Sequence, residues 1–386
     1  MTSGDPIYLD HNATTPVLPE VVEAMLPYLR EHFGNPSSGH VYGRRARDAV
    51  ARARQQVAAL LGCDEDEVVF TSGGTEANNL AIRGVTEARG DRGHLVTTVI
   101  EHPATAHPCG WLERHGRRVT RIRVDPDGRA RIAEARDAID GDTALVTVMH
   151  SNNETGVLQP IAELVKLAHA NGALLHTDAA QSLGKVPVRV RELGVDLLSV
   201  AGHKLYAPKG VGALYVKRGT PLVPFSLGAS HEHGLRPGTE NVASIVGLGV
   251  ACETVGRDLD AAASRMHALR DSLWELLAAA VPGIALNGHR ELRLPNTLNV
   301  RFPRASGNAV LDGAPEVAAS TGSACHEGDE SASAVILAMG VPAEDALGSV
   351  RLTPGRSTTE GDVARAAEAL IRSWRQAIEN RRPAPA

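Results

Sequence analysis

The chain has only four cysteines in 386 residues, Cys63, Cys109, Cys252 and Cys325, and no CxxC spacing among them. That excludes a disulfide framework and a cysteine-built zinc site, and no metal is expected. Neither sign of charge is in large excess: the formal net charge is −5 and arginines alternate with acids, so no basic stripe offers a dedicated nucleic-acid surface. No apolar run approaches the roughly 20 residues needed to span a bilayer, and the start MTSGDPIYLDHN lacks a basic-then-apolar leader. A cytoplasmic protein without membrane contact is expected. Internal repeats and low-complexity linkers are lacking as well. What remains, 43% hydrophobic and 22% charged residues, suffices for one large and one small domain, each with its own core.

From about residue 15 to 255, apolar strands alternate with amphipathic helices, the pattern of an α/β domain whose mostly parallel sheet is covered on both faces. One such helix is RRARDAVARARQQVAALLG, with arginines on the solvated side of an apolar stripe. After Gly256, a long helix, the strand-like LPNTLNVRF and a final helix EGDVARAAEALIRSWRQAIENR predict a smaller α+β domain over 256–386, joined by residues 1–14.

Polar residues of particular chemistry stand where the apolar strands end. In DLLSVAGHKLYAPKGVGALYV, a strand runs into His203-Lys204 and a Pro/Gly turn, which suits an amine that forms a Schiff base with an aldehyde; the natural aldehyde is pyridoxal phosphate. In VVFTSGGTEANNLAI, a strand runs through Ser72-Gly73-Gly74-Thr75 into a helix, where freed N–H groups and the positive helix end fit a phosphate. In ALLHTDAAQSLGKVP, Asp178 ends a strand, placed to hold a pyridinium nitrogen protonated. His102 and Asn153 end two more strands. All five positions fall where open α/β sheets bind ligands, beyond the carboxyl ends of the strands.

These segments, together with YLDHNATTP, FGNPSSGH, NNETG, GLRPGTEN, TGSACHEG and RLTPGRSTT, resemble the NifS/IscS-type cysteine desulfurases of the class V aminotransferase superfamily over nearly the whole chain. The resemblance implies a fold-type I transferase with a seven-stranded sheet, bound pyridoxal phosphate, L-cysteine as substrate, a homodimer and a protein sulfur acceptor. It also implies roles. Lys204 moves protons, His102 stacks on the ring, and Asn153 and Gln181 lie near the substrate and the ring's phenolic oxygen. Gly74, Thr75 and His203 hold the phosphate with Thr239 from the partner subunit, Arg356 clamps the substrate carboxylate, and Cys325 takes the sulfur. The stretch around Cys325, about residues 321–333, is rich in Ser, Gly, Ala and acids, which cannot anchor by burial, so it is expected to move the thiol over a distance.

Departures from the family pattern are local. Ala201 stands where a serine hydroxyl is usual, with Ser199 two residues away, and Ala207 replaces a glycine. His326 and Glu327 follow the cysteine and act on its thiol with opposite signs. The same pocket would also serve a selenocysteine lyase, another β-lyase or an aminotransferase, and a non-catalytic partner-binding scaffold is the reading from another class. The acceptor is not identified: iron–sulfur assembly, tRNA thiolation and DNA phosphorothioation all draw on such enzymes.

Overall fold

The computed structural model describes residues 5–321 and 331–380; Cys325 lies outside the described residues. The strands are β1 (Ile7–Tyr8), β2 (Val68–Thr71), β3 (His94–Thr98), β4 (Arg118–Ile122), β5 (Thr143–Thr147), β6 (Leu174–Asp178), β7 (Leu197–Ala201), β8 (Gly212–Val216), β9 (Ala285–Leu286), β10 (Leu298–Arg301), β11 (Val317–Ala318) and β12 (Ser349–Leu352). Seven of them form one sheet in the order β2-β8-β7-β6-β5-β3-β4, in which β8 runs against its neighbours and the other pairings are parallel. The inner strands are buried, apart from Leu174 and Val216 at the ends of β6 and β8, because helices cover both faces, whereas β4, at the edge, carries the exposed Arg118 and Arg121.

The helix Val41–Leu61 shows how the covering layer is built. Ala46, Ala49, Val50, Ala53, Val57 and Leu61 recur at three- and four-residue spacing and are buried, while Arg44, Arg45, Arg47 and Arg52 are exposed. His40 Nδ1 accepts from the Gly43 amide at its start, and Gly62 ends it in the left-handed conformation, φ 71°. It packs on Val242–Arg257 so closely that a Cβ on Gly249 would come within 2.7 Å of Ala53 Cα.

A second core gathers Leu9, Leu273, Leu277, Val300, Phe302, Leu352, Leu370 and Trp374 around the antiparallel sheet β12-β10-β9 and the helices Leu259–Ala280 and Glu360–Asn380. The amino-terminal segment joins this core: β1 pairs with β11, and the Thr353 amide donates to Leu9 O at 2.7 Å. Between the two lies a small cluster in which Val335, Ile336 and Met339 pack on Ile100, Val124 and Met149. No helix among the described residues is long and apolar enough to cross a membrane.

Candidate active site

The carboxyl ends of β2, β3, β5, β6 and β7 deliver side chains to one pocket. Gly74, Thr75, His102, Asn153, Asp178, Gln181, His203 and Lys204 all line it, so eight of the residues singled out from the sequence meet in space. Thr239 does not: it is exposed, in the segment before the helix Val242–Arg257.

Lys204 ends the short turn Gly202–Lys204 that follows β7. Burial lowers its amine to about 8, and the neighbouring Asp178 carboxylate opposes part of that shift. An amine in that range is unprotonated in an appreciable fraction at neutral pH and so is a usable nucleophile and base. The next residue but one, Tyr206, sits at φ 63° although it is not glycine, a conformation that costs on the order of 1–3 kcal/mol and must be held by its surroundings. Its amide donates to Thr15 Oγ1 at 2.8 Å, and its hydroxyl accepts from the Arg356 amide at 2.9 Å. Ala207, by contrast, is absent from the left-handed region, so no glycine is needed there.

Asp178 accepts from Asn78 Nδ2 at 2.6 Å and from the Ala180 amide at 2.9 Å, one bond on each oxygen. Each carboxylate oxygen has a further lone pair for a protonated ring nitrogen. His102 caps the helix Pro103–Arg114, its Nδ1 accepting from the Ala104 amide at 3.1 Å, which leaves Nε2 as the protonated nitrogen of a neutral ring. Burial and then Lys204 lower its pKa, in keeping with that neutral form. His203 is lowered to about 4 by burial, and its carbonyl seats the amide of Thr15 at 2.9 Å.

The helix Gly74–Ala88 begins at the pocket with no side-chain cap, after Gly73 at φ 149°. Its first-turn amides are therefore available to an anion. A Cβ on Gly74 would stand 3.3 Å from Ala201 Cβ, so this wall is already close. Ser199 does not replace the missing hydroxyl: it is fully buried, and its Oγ pairs with His176 Nε2 at 2.9 Å beneath the pocket.

Arg356 stands apart from the pocket lining. Its guanidinium forks onto Asp258, with bonds of 2.8 and 2.5 Å. Arg351 is the buried arginine nearer the pocket, donating to Asp10 Oδ1 at 2.8 Å and to Asn153 O at 2.9 Å. Sequence reading missed Asn78, whose place among Ala77, Ala81, Ile82 and Val85 on the buried helix face was the available signal. It also missed Lys185, which reads as an ordinary polar residue after a glycine.

A lysine amine whose pKa burial lowers, a carboxylate with free lone pairs and an uncapped helix start around one cleft define a site for an aldehyde cofactor that carries an anionic group. The donors fit pyridoxal phosphate. The chain belongs to the class-V aminotransferase family, whose profile matches residues 7–365. A cysteine desulfurase of Trichormus azollae is 46% identical over 366 residues, which span 94% of this chain and 92% of that protein. Among solved structures, a NifS-like protein superposes with a TM-score of 0.89 at 34% identity, over 95% of this chain and 98% of that one. SspA in complex with cysteine does so with a TM-score of 0.80 at 35% identity, over 91% and 99%.

Proposed function

We infer that the chain is a pyridoxal-phosphate-dependent cysteine desulfurase that converts L-cysteine to L-alanine and carries the sulfur away as a persulfide on Cys325. The observation that carries this reading is the meeting of Lys204, Asp178 and the Gly74 helix start in one pocket, in a chain so similar to desulfurases along most of its length. When bound, pyridoxal phosphate supplies an aldehyde for the substrate amino group and a ring that accepts electrons from the substrate α-carbon.

The chain's own residues do the rest. The amides of Gly74 and Thr75, with His203, would hold the phosphate, and the Asp178 carboxylate would accept from the protonated ring nitrogen. His102 would cover the ring face, and Gln181 and Asn153 line the pocket beside it. Lys204, with its amine near neutrality, takes and returns the proton at the substrate α-carbon. Arg356 grips the substrate carboxylate by exchanging Asp258, which holds both ends of its planar fork in this structure, for the substrate's two oxygens. The Cys325 thiolate then attacks the substrate sulfur: the S–S bond forms, the C–S bond breaks, and the carbon takes a proton to become the methyl of alanine. The thiol sulfur is oxidised to the persulfide level as the carbon is reduced, so no outside oxidant is needed.

The other thiols support giving this task to Cys325. Burial pushes Cys63 and Cys109 up to about 12 and raises Cys252 further, so none of the three is a usable thiolate. A homodimer in the cytoplasm completes the reading. Phe33, 78% exposed, stacks on the half-exposed Tyr42, and Leu227 is 90% exposed, an apolar surface suited to a second copy that would bring its exposed Thr239 to the neighbouring site. The decisive experiment is to supply L-cysteine to the holoenzyme and to Cys325→Ala and measure alanine. The variant should still bind cofactor and substrate yet form almost no alanine; near-parental alanine formation sinks the persulfide role.

A further inference from the structure

Lys185 is a lysine in the interior with no carboxylate on its amine among the described residues. The residue is 3% exposed, and Nζ donates to Asn12 Oδ1 at 2.8 Å and Gln181 Oε1 at 3.1 Å. Taking an amine out of water is unfavourable by several kcal/mol unless its hydrogens find acceptors. Burial, followed by the charges of Lys204 and Arg351, holds its pKa well below the usual lysine range. Gly184, at φ 78°, turns the chain just before it, and a Cβ there would meet Leu205 Cδ1 at 2.3 Å, so the turn that aims Lys185 back at Gln181 depends on glycine.

The consequence is felt at Gln181, which lines the Lys204 pocket. A backbone carbonyl can only accept, so Asn12 O, 2.9 Å away, takes one N–H of Gln181 Nε2. The hydrogens of Lys185 define the other end of the amide as Oε1. A flip would set oxygen against oxygen at Asn12 and take from the Lys185 hydrogens one of their two acceptors. Asn12 is itself pinned, its Oδ1 accepting from Asn296 Nδ2 at 3.1 Å and its Nδ2 donating to Thr297 Oγ1 at 2.9 Å. One hydrogen of Gln181 Nε2 remains for the pocket.

We propose that Lys185 is a positioning residue that locks the Gln181 amide so that it presents an N–H, and never its carbonyl, to an acceptor oxygen on the ring of the bound cofactor. The proposal rests on the pyridoxal phosphate reading above, in which that acceptor is the ring's phenolic oxygen. A merely structural lysine would stabilise the fold without altering the polarity of the pocket wall.

The test uses parent holoenzyme, Lys185→Met, Gln181→Leu and the double variant, each dialysed to equilibrium against graded pyridoxal phosphate while the absorption maximum of the bound cofactor is recorded. Methionine keeps the length and packing of the lysine stem but has no donor. Lys185→Met is expected to shift the maximum and to weaken cofactor binding about tenfold, the scale of one buried hydrogen bond left unmade. The double variant should match Gln181→Leu within about twofold, because residues acting through one contact are not additive. An unchanged maximum and affinity in Lys185→Met, or losses that add in the double variant, overturns the proposal. Gln181→Glu covers the case in which Lys185→Met does not fold: its carboxylate can pair with Lys185 but offers oxygen instead of N–H to the pocket, so binding should fall at least about tenfold, and undiminished binding is equally fatal. A parent that takes up no cofactor overturns the reading and the proposal together, whereas a parent that binds while the variants match it overturns the proposal alone.

Discussion

At the scale of single residues, Lys204 is the amine whose loss has the plainest expected result. Lys204→Ala should leave a folded protein whose bound cofactor no longer shows the parental visible band, with turnover of L-cysteine abolished. The other buried amine, Lys185, is committed to Asn12 and Gln181 and is not free to substitute. Absorbance and alanine formation measured on the same sample check this, and a variant that kept both would remove Lys204 from the chemistry. Arg356→Lys tests the carboxylate grip. A lysine keeps the charge but not the planar fork, and charge-assisted bonds contribute about 1.5–3 kcal/mol each, so kcat/KM for L-cysteine should fall at least about tenfold. The cofactor band should not move, since Arg356 is not among the pocket residues. Unchanged efficiency would shift the grip to Arg351.

Much of the site was legible at this scale because its chief residues end or directly follow a buried strand: Asp178 closes LLHTD, and His203 and Lys204 follow LLSVA. The partners of those residues were not. Asp258 lies 98 positions from Arg356 and Asn78 lies 100 from Asp178, and no local pattern announces a pairing at such distances. Lys185 was hidden for another reason. Nearly all lysines sit in water, and only its two amide partners show that this one does not.

At the scale of elements, Glu101 ties together the ends of two adjacent parallel strands. Its carboxyl accepts from Thr98 Oγ1, at the end of β3, at 2.6 Å, and from the Met149 amide, just past β5, at 3.1 Å. Burial raises its pKa to about 8, against the hydrogen bonds that favour ionisation. Because the folded form binds the proton more tightly than the unfolded chain, this contribution to stability is complete below about pH 4.5 and is lost as pH rises through about 8. Glu101→Gln has no proton to lose. Its stability relative to the parent should be constant below pH 4.5 and improve between there and pH 8 by an amount on the order of a few kcal/mol, read from urea unfolding at a series of pH values. A difference that stays flat across the window would mean that Glu101 is already ionised in the folded protein.

The strands themselves were legible wherever burial on both faces made them uniformly apolar, as in β2 and β8. The reversal of β8 within an otherwise parallel sheet was not, because direction leaves no trace in a run such as GALYV.

At the scale of the whole molecule, the exposed pair Phe33 and Tyr42, with Leu227, bears on assembly. The parent should sediment at about twice the 40.7 kDa of one chain. Phe33→Asp should shift the population toward the monomer and loosen cofactor retention at the same time, since Thr239 would no longer reach a neighbouring pocket. A monomeric parent that retains its cofactor fully would refute both the dimer and the shared site.

The left-handed Tyr206 acts as a brace. It follows Lys204 by two residues and its hydroxyl accepts from the Arg356 backbone amide, so one rigid ring ties the backbone at Arg356 to the turn that carries the amine. Tyr206→Phe would release that tie while leaving the side chains of Lys204 and Arg356 unchanged.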